Sequence, residues 1–379
     1  MPNKISSTEL TKKSFKLILL IFSTALSSTF ALADTTQAES QKKILPYFQV
    51  DGEFDNRILP TVAWLDNEKI IYSKPLIDIK SATEVQADKV IFYDDKAFQV
   101  VTLNINTNKT EIHKNGLLLG LVDGIATIRT AKTSENIPPQ TYSELLKGPL
   151  GKEVAEIFYD YERPKTSNSP CYENNTLDAT MLEITNIPLS DKYGCVRGIK
   201  TKDSPRNMQY TYLSADGRKV ALPVQAGDSL YFANWIDWLN SFLFADVPNY
   251  PKNVEKIFGT PSNKPNMYLL TPAGDLKLID INKFGYSHLR PTRAGIIGAN
   301  NAPPNKKAVI TNGLYLLSKA QKTQITEGNS IKPVVSPDGC KFAYYASYTT
   351  TFTNSEQSKL RVIDICKELS VSADANPFL

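Results

Sequence analysis

The chain has 379 residues, a formal net charge of +4 and only two histidines. Four lysines and one glutamate lie in residues 1–33, so the rest of the chain carries a formal charge of +1. A nucleic-acid-binding protein needs a concentrated basic face, and this balance argues against that class. Two histidines also exclude a His-rich zinc site.

Residues 1–33 are predicted to be a signal peptide. Several lysines precede the apolar run Leu17–Phe30, which is too short and too rich in Ser and Thr for a membrane span. Ala31-Leu32-Ala33 is a small-x-small cleavage site, so we expect a mature chain that begins at Asp34. The alternative is that residues 1–33 remain as an uncleaved N-terminal anchor. The mature protein is expected to be periplasmic or secreted, not membrane-spanning, with a disordered lead-in over residues 34–46.

One turn motif recurs along the chain. Ser336–Ala343 reads Ser-Pro-Asp-Gly-Cys-Lys-Phe-Ala, Ser214–Ala221 copies it closely, and Trp64–Ile71 is a looser copy. Asp-Gly suits a tight turn because glycine tolerates a positive φ and Asp can bond its own backbone. The flanking β-branched and aromatic residues favour strands.

A strand-like segment recurs as well, at spacings of about 40 to 50 residues that are typical of propeller blades. It predicts an all-β chain that forms a single β-propeller over residues 47–379, with six blades. The first spacing is nearly double, so seven blades is the alternative if it contains a complete blade. We interpret the copies as third strands of blades; they are Val100–Asn106, Leu182–Ile187, Leu230–Trp235, Leu276–Lys283, Leu314–Lys319 and Leu360–Lys367.

The motif Ser-x-Asp-Gly-x-Lys-apolar-Ala, followed by a strand ending in Ile363-Asp364-Ile365, resembles the blade repeat of TolB-type, WD-like propellers. The resemblance implies a fold and a compartment. It covers the propeller only, because TolB carries an additional α/β domain for which this chain has no room. It implies no activity, since propellers host many unrelated functions.

Early in the chain, Phe48 and Val50 are predicted to form an edge strand that joins the last blade and closes the ring. Blade one is expected over about residues 61–113. We interpret residues 133–176 as an insertion in blade two, with helical spacing of apolar residues over Tyr142–Tyr161. Inserted loops carry function more often than cores do.

Blade three is expected over about residues 208–235, and the segment Trp235–Phe244 after it has the apolar spacing of a short amphipathic helix. Trp235 and Trp238 on this helix are either contacts for a partner or part of a packed connector between blades, and we favour the connector. The last three blades are expected over about residues 254–283, 294–326 and 331–367.

The four cysteines predict disulfides, because an exported chain with an even count favours them. Three pairings are possible. A hairpin centred near Thr353 would place Cys340 opposite Cys366, and Phe342 opposite Asp364, which leaves Cys171 to pair with Cys195. No Cys-x-x-Cys is present, which argues against a metal or redox site.

Catalytic motifs are absent: the sequence has no nucleophile elbow, P-loop or dinucleotide fingerprint. His288, Arg290 and Arg293 lie in a predicted connecting loop that could hold an anionic ligand, although paired arginines are also common on exposed loops.

Two functions remain. We expect a non-catalytic, monomeric binding or scaffold protein that uses one propeller face, takes no cofactor or metal, and binds another envelope or secreted protein. The alternative is a propeller hydrolase or lyase with an active site in the central channel.

Overall fold

Strands dominate the computed structural model, which describes residues 41–55, 59–76, 98–122, 124–133, 141–157, 180–190, 193–203, 208–224, 228–248, 266–279, 287–300, 312–318, 321–347 and 357–378. Helical structure is sparse there: Glu156 and Ile157 are helical, a 3-10 turn spans Asp237–Leu239, and α1 spans Ile365–Leu369. Within these ranges, no helix is long and apolar enough to cross a membrane.

The strands pair mainly with their neighbours in sequence. In chain order they are β1 (Gln41–Lys42), β2 (Phe48–Gln49), β3 (Phe54–Asp55), β4 (Val62–Trp64), β5 (Lys69–Pro75), β6 (Phe98–Asn104), β7 (Lys109–Asn115), β8 (Leu117–Val122), β9 (Ile125–Thr133), β10 (Thr141–Pro149), β11 (Val154–Ala155), β12 (Met181–Ser190), β13 (Gly194–Thr201), β14 (Met208–Leu213), β15 (Lys219–Ala221), β16 (Asp228–Ile236), β17 (Ser241–Pro248), β18 (Asn266–Leu270), β19 (Leu276–Ile279), β20 (Ser287–Thr292), β21 (Gly295–Asn300), β22 (Gly313–Leu317), β23 (Lys322–Gln324), β24 (Asn329–Val335), β25 (Lys341–Ser347) and β26 (Gln357–Asp364).

These strands form six sheets within the described residues. The first five are the antiparallel sets β4–β7, β8–β11, β12–β15, β16–β19 and β20–β23, and the sixth contains β24–β26. The first strands of several neighbouring sheets contact one another: β4 touches β8 and β24, β12 touches β16, and β20 touches β24. Sequential antiparallel sheets whose first strands gather about one axis are the architecture of a β-propeller, and this confirms the predicted all-β fold class.

The N-terminal segment closes this arrangement. β2 pairs with β26 in the sixth sheet, with Phe48 opposite Val362, so the residues just before the first sheet supply the outer strand of the last one. β1 adds a parallel fifth strand to the fifth sheet beside β23. The predicted joining of the Phe48 segment to the last blade is confirmed. Such pairing removes an exposed strand edge where the ring closes.

Neighbouring sheets pack face to face. Along β25, Phe342 and Tyr344 pack into the cluster shared with the fifth sheet, whereas Ala343 and Tyr345 pack into the cluster shared with the first sheet. All four residues are at most 1% exposed. The alternation follows from the two-residue period of a strand that is buried on both faces.

The predicted helix within Tyr142–Tyr161 is wrong over residues 141–155, which contain two strands, while Glu156 and Ile157 are helical. β10 pairs with β9 along its whole length, from Thr141 opposite Thr133 to Pro149 opposite Ile125. β11 then pairs with the end of β10, after a turn in which Gly151 has a φ of +80°. This part of the assigned insertion therefore completes the second sheet, while residues 158–176 lie outside the described residues. Apolar spacing in short segments does not separate helix from strand.

The predicted helix over Trp235–Phe244 is also wrong. The segment is the hairpin of the fourth sheet, in which Trp235 lies opposite Phe242 and the 3-10 turn links β16 to β17. Asn240 closes the turn with a φ of +45°, a conformation that Asn tolerates better than most residues. Phe242 and Leu243 are each 2% exposed, so the apolar stripe belongs to the core, as favoured from the sequence.

The disulfide Cys340–Cys366 is present, but the predicted register of its strands is wrong by one residue. Phe342 lies opposite Ile363 rather than Asp364. Cys366 belongs to α1, and its amide donates to the carbonyl of Cys340, so the start of the helix brings the two Cα atoms to 5.0 Å. Cys195 is fully buried, and its predicted partner Cys171 lies outside the described residues.

Candidate functional site

A cavity of about 410 Å³ opens at one end of the first strands. Its volume lies in the range typical of small-molecule sites. The residues around it come mainly from the first strands β4, β8, β16, β20 and β24, with others from β17 and from residues next to these strands, so five sheets face one space. They are Thr61, Val62, Ala63, Trp64, Gly120, Leu121, Val122, Trp235, Ile236, Asp237, Leu243, Arg290, Pro291, Val334, Val335, Ser336 and Pro337. We call this space the channel cavity.

Bulges shape the strands around the channel cavity. β8, β16, β20 and β24 each carry one extra residue relative to the second strand of the same sheet. In β20 and β24 the irregularity contains a residue with a positive φ, +50° at His288 and +51° at Lys332. A bulge bends a strand and redirects its side chains, which is why bulges are common at functional sites.

Two tryptophans form part of the wall. Trp64 donates its indole N–H to the carbonyl of Val334 at 3.0 Å, which ties the first sheet to the sixth. Trp235 donates to Asp237 Oδ1 at 2.9 Å and stacks on Tyr193 with ring centres 3.7 Å apart. These contacts fix both ring orientations, so the aromatic surface that the cavity offers is preformed.

Charge is scarce among the lining residues. Arg290 and Asp237 are the only two charged side chains in the lining that the structure describes. One guanidinium nitrogen of Arg290 donates to the carbonyl of Leu289 at 2.9 Å. Ser336, also in the lining, is committed to its own turn, where it donates to Asp338 at 2.5 Å. The cavity is therefore mainly apolar, with a few polar groups.

His288 and Lys332 lie on neighbouring first strands, beside the residues that line the cavity. Burial lowers the pKa of His288, and the positive charges of Arg290 and Lys332 lower it further. Burial also lowers the pKa of Lys332, whose ammonium donates to the carbonyl of Leu59 at 2.8 Å. His288 lies in β20, so the predicted connecting loop is a strand at this point.

Arg293 and Trp238 lie elsewhere and hold the C-terminal tail. The guanidinium of Arg293 is 4.9 Å from the ring centre of Trp238 and donates to the carbonyls of Asp338 and Ala375. Phe378 packs against Trp238 with ring centres 6.1 Å apart. We call these five residues the C-terminal clamp. It joins the turns of the fourth, fifth and sixth sheets and is separate from the cavity lining.

No group of three or more His, Cys, Asp or Glu side chains within the described ranges could hold a metal ion. The other histidine, His113, lies in β7 with its Nε2 atom 2.6 Å from Thr102 Oγ1. The buried disulfide Cys340–Cys366 is typical of proteins that fold in an oxidising compartment.

Sequence reasoning placed Trp235 and Arg290 among possible contacts but missed Trp64, Val122 and Lys332. The sequence did contain a signal for Trp64 and Val122. Both stand directly before the turn that joins a first strand to a second one, and such turns carry Asp-Asn or Asp-Gly in this chain. Lys332 has no such signal, because its position depends on a bulge.

Comparison with known proteins returns structures only, since no family model and no curated protein matches the chain. Similar solved structures include an oligogalacturonate lyase in complex with manganese, with 9% identity over 86% of this chain and 98% of that one, at a TM-score of 0.35. TolB from Acinetobacter baumannii has 9% identity over 79% of this chain and 65% of that one, at a TM-score of 0.35. A prolyl endopeptidase structure has 12% identity over 84% of this chain and 43% of its own chain, at a TM-score of 0.31. TolB is thus among the structures that the chain resembles, while the propeller fold itself is assigned from the chain's own strand order.

Proposed function

We propose that the chain is an exported, non-catalytic binding or scaffold protein that uses the propeller face around the channel cavity. The observation that carries this proposal is the make-up of the lining, which is mainly apolar and aromatic with two charged side chains. Binding sites are commonly concave and apolar, with a few polar groups that set orientation. We further propose six blades, one for each described sheet.

The alternative is a hydrolase or lyase in the same channel. General acid–base catalysis needs titratable groups that converge on one reacting atom. Asp237 is the carboxylate that the described lining offers, and it is exposed and already accepts a hydrogen bond from Trp235. The presence of a single, already bonded carboxylate in the described lining favours binding over catalysis. Turnover of an ester or a glycoside that disappears in Asp237→Asn would support the alternative.

The sequence and the disulfide together support a proposal for the compartment. We propose that residues 1–33 are removed during export, that the mature protein begins at Asp34, and that it is a periplasmic or secreted monomer. The second bridge would join Cys171 to Cys195. Another envelope or secreted protein is the proposed partner.

Photo-crosslinking in the native cells tests the face. A photoreactive benzoylphenylalanine at Val122, which lines the cavity, is compared with the same residue at Ile112, on the outer strand β7. Both positions are 62% exposed, so they are matched in accessibility. We expect a discrete crosslinked species from position 122 and none from position 112. Equal products from both positions, or none from 122, would contradict the proposed face.

A further inference from the structure

Three basic side chains lie on two adjoining first strands. β20 and β24 contact each other, and each turns through a residue with positive φ, His288 in one and Lys332 in the other. Arg290 follows His288 by two positions and lines the channel cavity. The sixth and fifth sheets therefore bring basic groups to the same side of the cavity.

The charges around His288 and the position of the Lys332 ammonium agree with this placement. Lys332 donates to Leu59, two positions before the lining residue Thr61, so its ammonium lies near the edge of the cavity. The half-buried His288 ring experiences the positive charges of both Arg290 and Lys332, which disfavour a third positive charge there. A concave site with cations on one wall attracts anions.

The rest of the described lining is mainly apolar, apart from the carboxylate of Asp237, which accepts a hydrogen bond from Trp235. Val122 is 62% exposed although it is a large hydrophobic residue, and Leu121 and Trp235 lie in the same lining. Burial of a ligand's apolar surface against these side chains would contribute to its affinity through the hydrophobic effect. The cavity thus combines the guanidinium of Arg290, with Lys332 and His288 beside it, with apolar groups from β8 and β16 and a single carboxylate, Asp237.

We propose that the channel cavity binds a carboxylate joined to an apolar body, with the carboxylate at Arg290 and Lys332 and the body against Trp235 and Val122. A guanidinium matches the planar geometry of a carboxylate, and a lysine adds a second charge. The inference rests on the proposed function, because it names the ligand class of the same site. The carboxylate could belong to a small organic acid or to the C-terminus of a partner protein.

Calorimetric titration of the mature protein tests the ligand class. The probes are phenylpropionate and acetyl-Ala-Phe, each paired with its neutral amide, so that every pair differs only in the carboxylate. We expect the acids to bind at least about tenfold more tightly than the amides, since a charge-assisted contact is worth about 1.5 kcal/mol or more. Of the two acids, tighter binding of the peptide indicates a protein C-terminus, and tighter binding of phenylpropionate indicates a small acid.

Variants locate the effect. Arg290→Gln should weaken binding of the acids by about tenfold and leave the amides unchanged. Lys277→Gln, which makes the same charge change on the exposed strand β19, should change neither. Thermal unfolding of each variant checks that the fold persists, and the acid–amide comparison on the unmodified protein needs no variant at all.

Equal affinity for an acid and its amide would overturn the carboxylate inference while leaving a binding cavity in place. Absence of binding by all four probes would also overturn it, and the crosslinking comparison of positions 122 and 112 would then judge the proposed function separately.

Discussion

The chain contains two copies of the Ser-x-Asp-Gly turn that differ in their position within a sheet. In both copies the serine hydroxyl bonds the aspartate two residues later, and the glycine amide donates to the serine carbonyl, at 3.0 Å for Gly217 and 2.9 Å for Gly339. Both glycines have positive φ, +87° and +78°. The local sequence therefore produces the same turn twice.

The surroundings of the two turns are different. The turn at Ser214 joins the third and fourth strands of its sheet, and added volume at Gly217 would meet nothing within 4 Å. The turn at Ser336 joins a first strand to a second one beside the channel cavity. Its Asp338 amide donates to Asn67 of the first sheet, and Gly339 lies against Trp238 of the fourth. A short motif can specify a turn, while the neighbouring sheets decide how much depends on it.

The sharpest test of this comparison is the pair Gly339→Ala and Gly217→Ala. A Cβ at position 339 would lie 2.6 Å from the Trp238 indole nitrogen, so that variant suffers both backbone strain and overpacking. We expect a loss of roughly 2–5 kcal/mol in the free energy of unfolding at position 339 and of about 1–2 kcal/mol at position 217. Denaturant unfolding of both variants measures the difference, and equal losses would show that the surroundings do not matter.

The disulfide gives a second, somewhat smaller contrast. Cys340 follows Gly339 directly and forms a disulfide with Cys366. The corresponding position in the turn at Ser214 is Arg218, which lies on the surface. On the chain-entropy model, a bridge between residues 26 apart contributes about 3.5 kcal/mol. The double variant Cys340→Ser, Cys366→Ser should therefore lose about that much stability, whereas Arg218→Ala should lose under about 1 kcal/mol.

The melting temperature in oxidising and reducing buffer measures the effect of the bridge. The unmodified protein should lose more of its melting temperature on reduction than the double variant, which keeps only the proposed Cys171–Cys195 bridge. A drop of equal size in both proteins would mean that another reducible bond controls stability.

The smallest expected effect concerns acid. The hydroxyl of Ser214 and the charge of Arg218 lower the pKa of Asp216 below its ordinary value of 3.8. A group with a lowered folded-state pKa contributes stability above its unfolded-state pKa and loses it as the pH falls through the folded-state value. Asp216→Asn should therefore be slightly less stable than the unmodified protein at neutral pH and equally stable at strongly acid pH. A difference that stays constant with pH would contradict this account.

The sequence predicts that strand-like segments recur, but not which strand of a sheet each copy forms. The six proposed third strands correspond to three true third strands, β6, β22 and β26, to two first strands, β12 and β16, and to the fourth strand β19. Every strand of a propeller sheet has a similar apolar alternation, so a single sequence cannot say which strand of a sheet it reads. The copies fall in five of the six described sheets, two of them in the fourth sheet and none in the second, and three of the six are third strands as predicted.

The register of the last hairpin shows a related difficulty. A slip of one residue moves each side chain to the other face of a sheet, and the predicted pairing of Phe342 with Asp364 contains that slip. The predicted pairing of Cys340 with Cys366 was nevertheless right, because α1 begins at Ile365 and returns Cys366 toward Cys340. Sequence patterns do not reveal that β26 ends at Asp364, two residues before Cys366.

The candidate site was the least predictable part. Five sheets contribute to the channel cavity, and no local pattern connects Trp64 with Trp235 or Arg290. The clamp illustrates the same limit, since Arg293 is close to Arg290 in sequence but contacts the C-terminal tail instead. Such relations come from the order of the sheets about the axis.

The pairing of β2 with β26 also has a consequence for the timing of folding. The outer strand of the sixth sheet comes from residues 48–49, and its partner comes from residues 357–364. Long-range pairing of this kind delays folding because the intervening chain must first be ordered. A ribosome would have to release almost the whole polypeptide before the ring could close, so a chain exported during synthesis would cross the membrane still open and complete its fold on the far side.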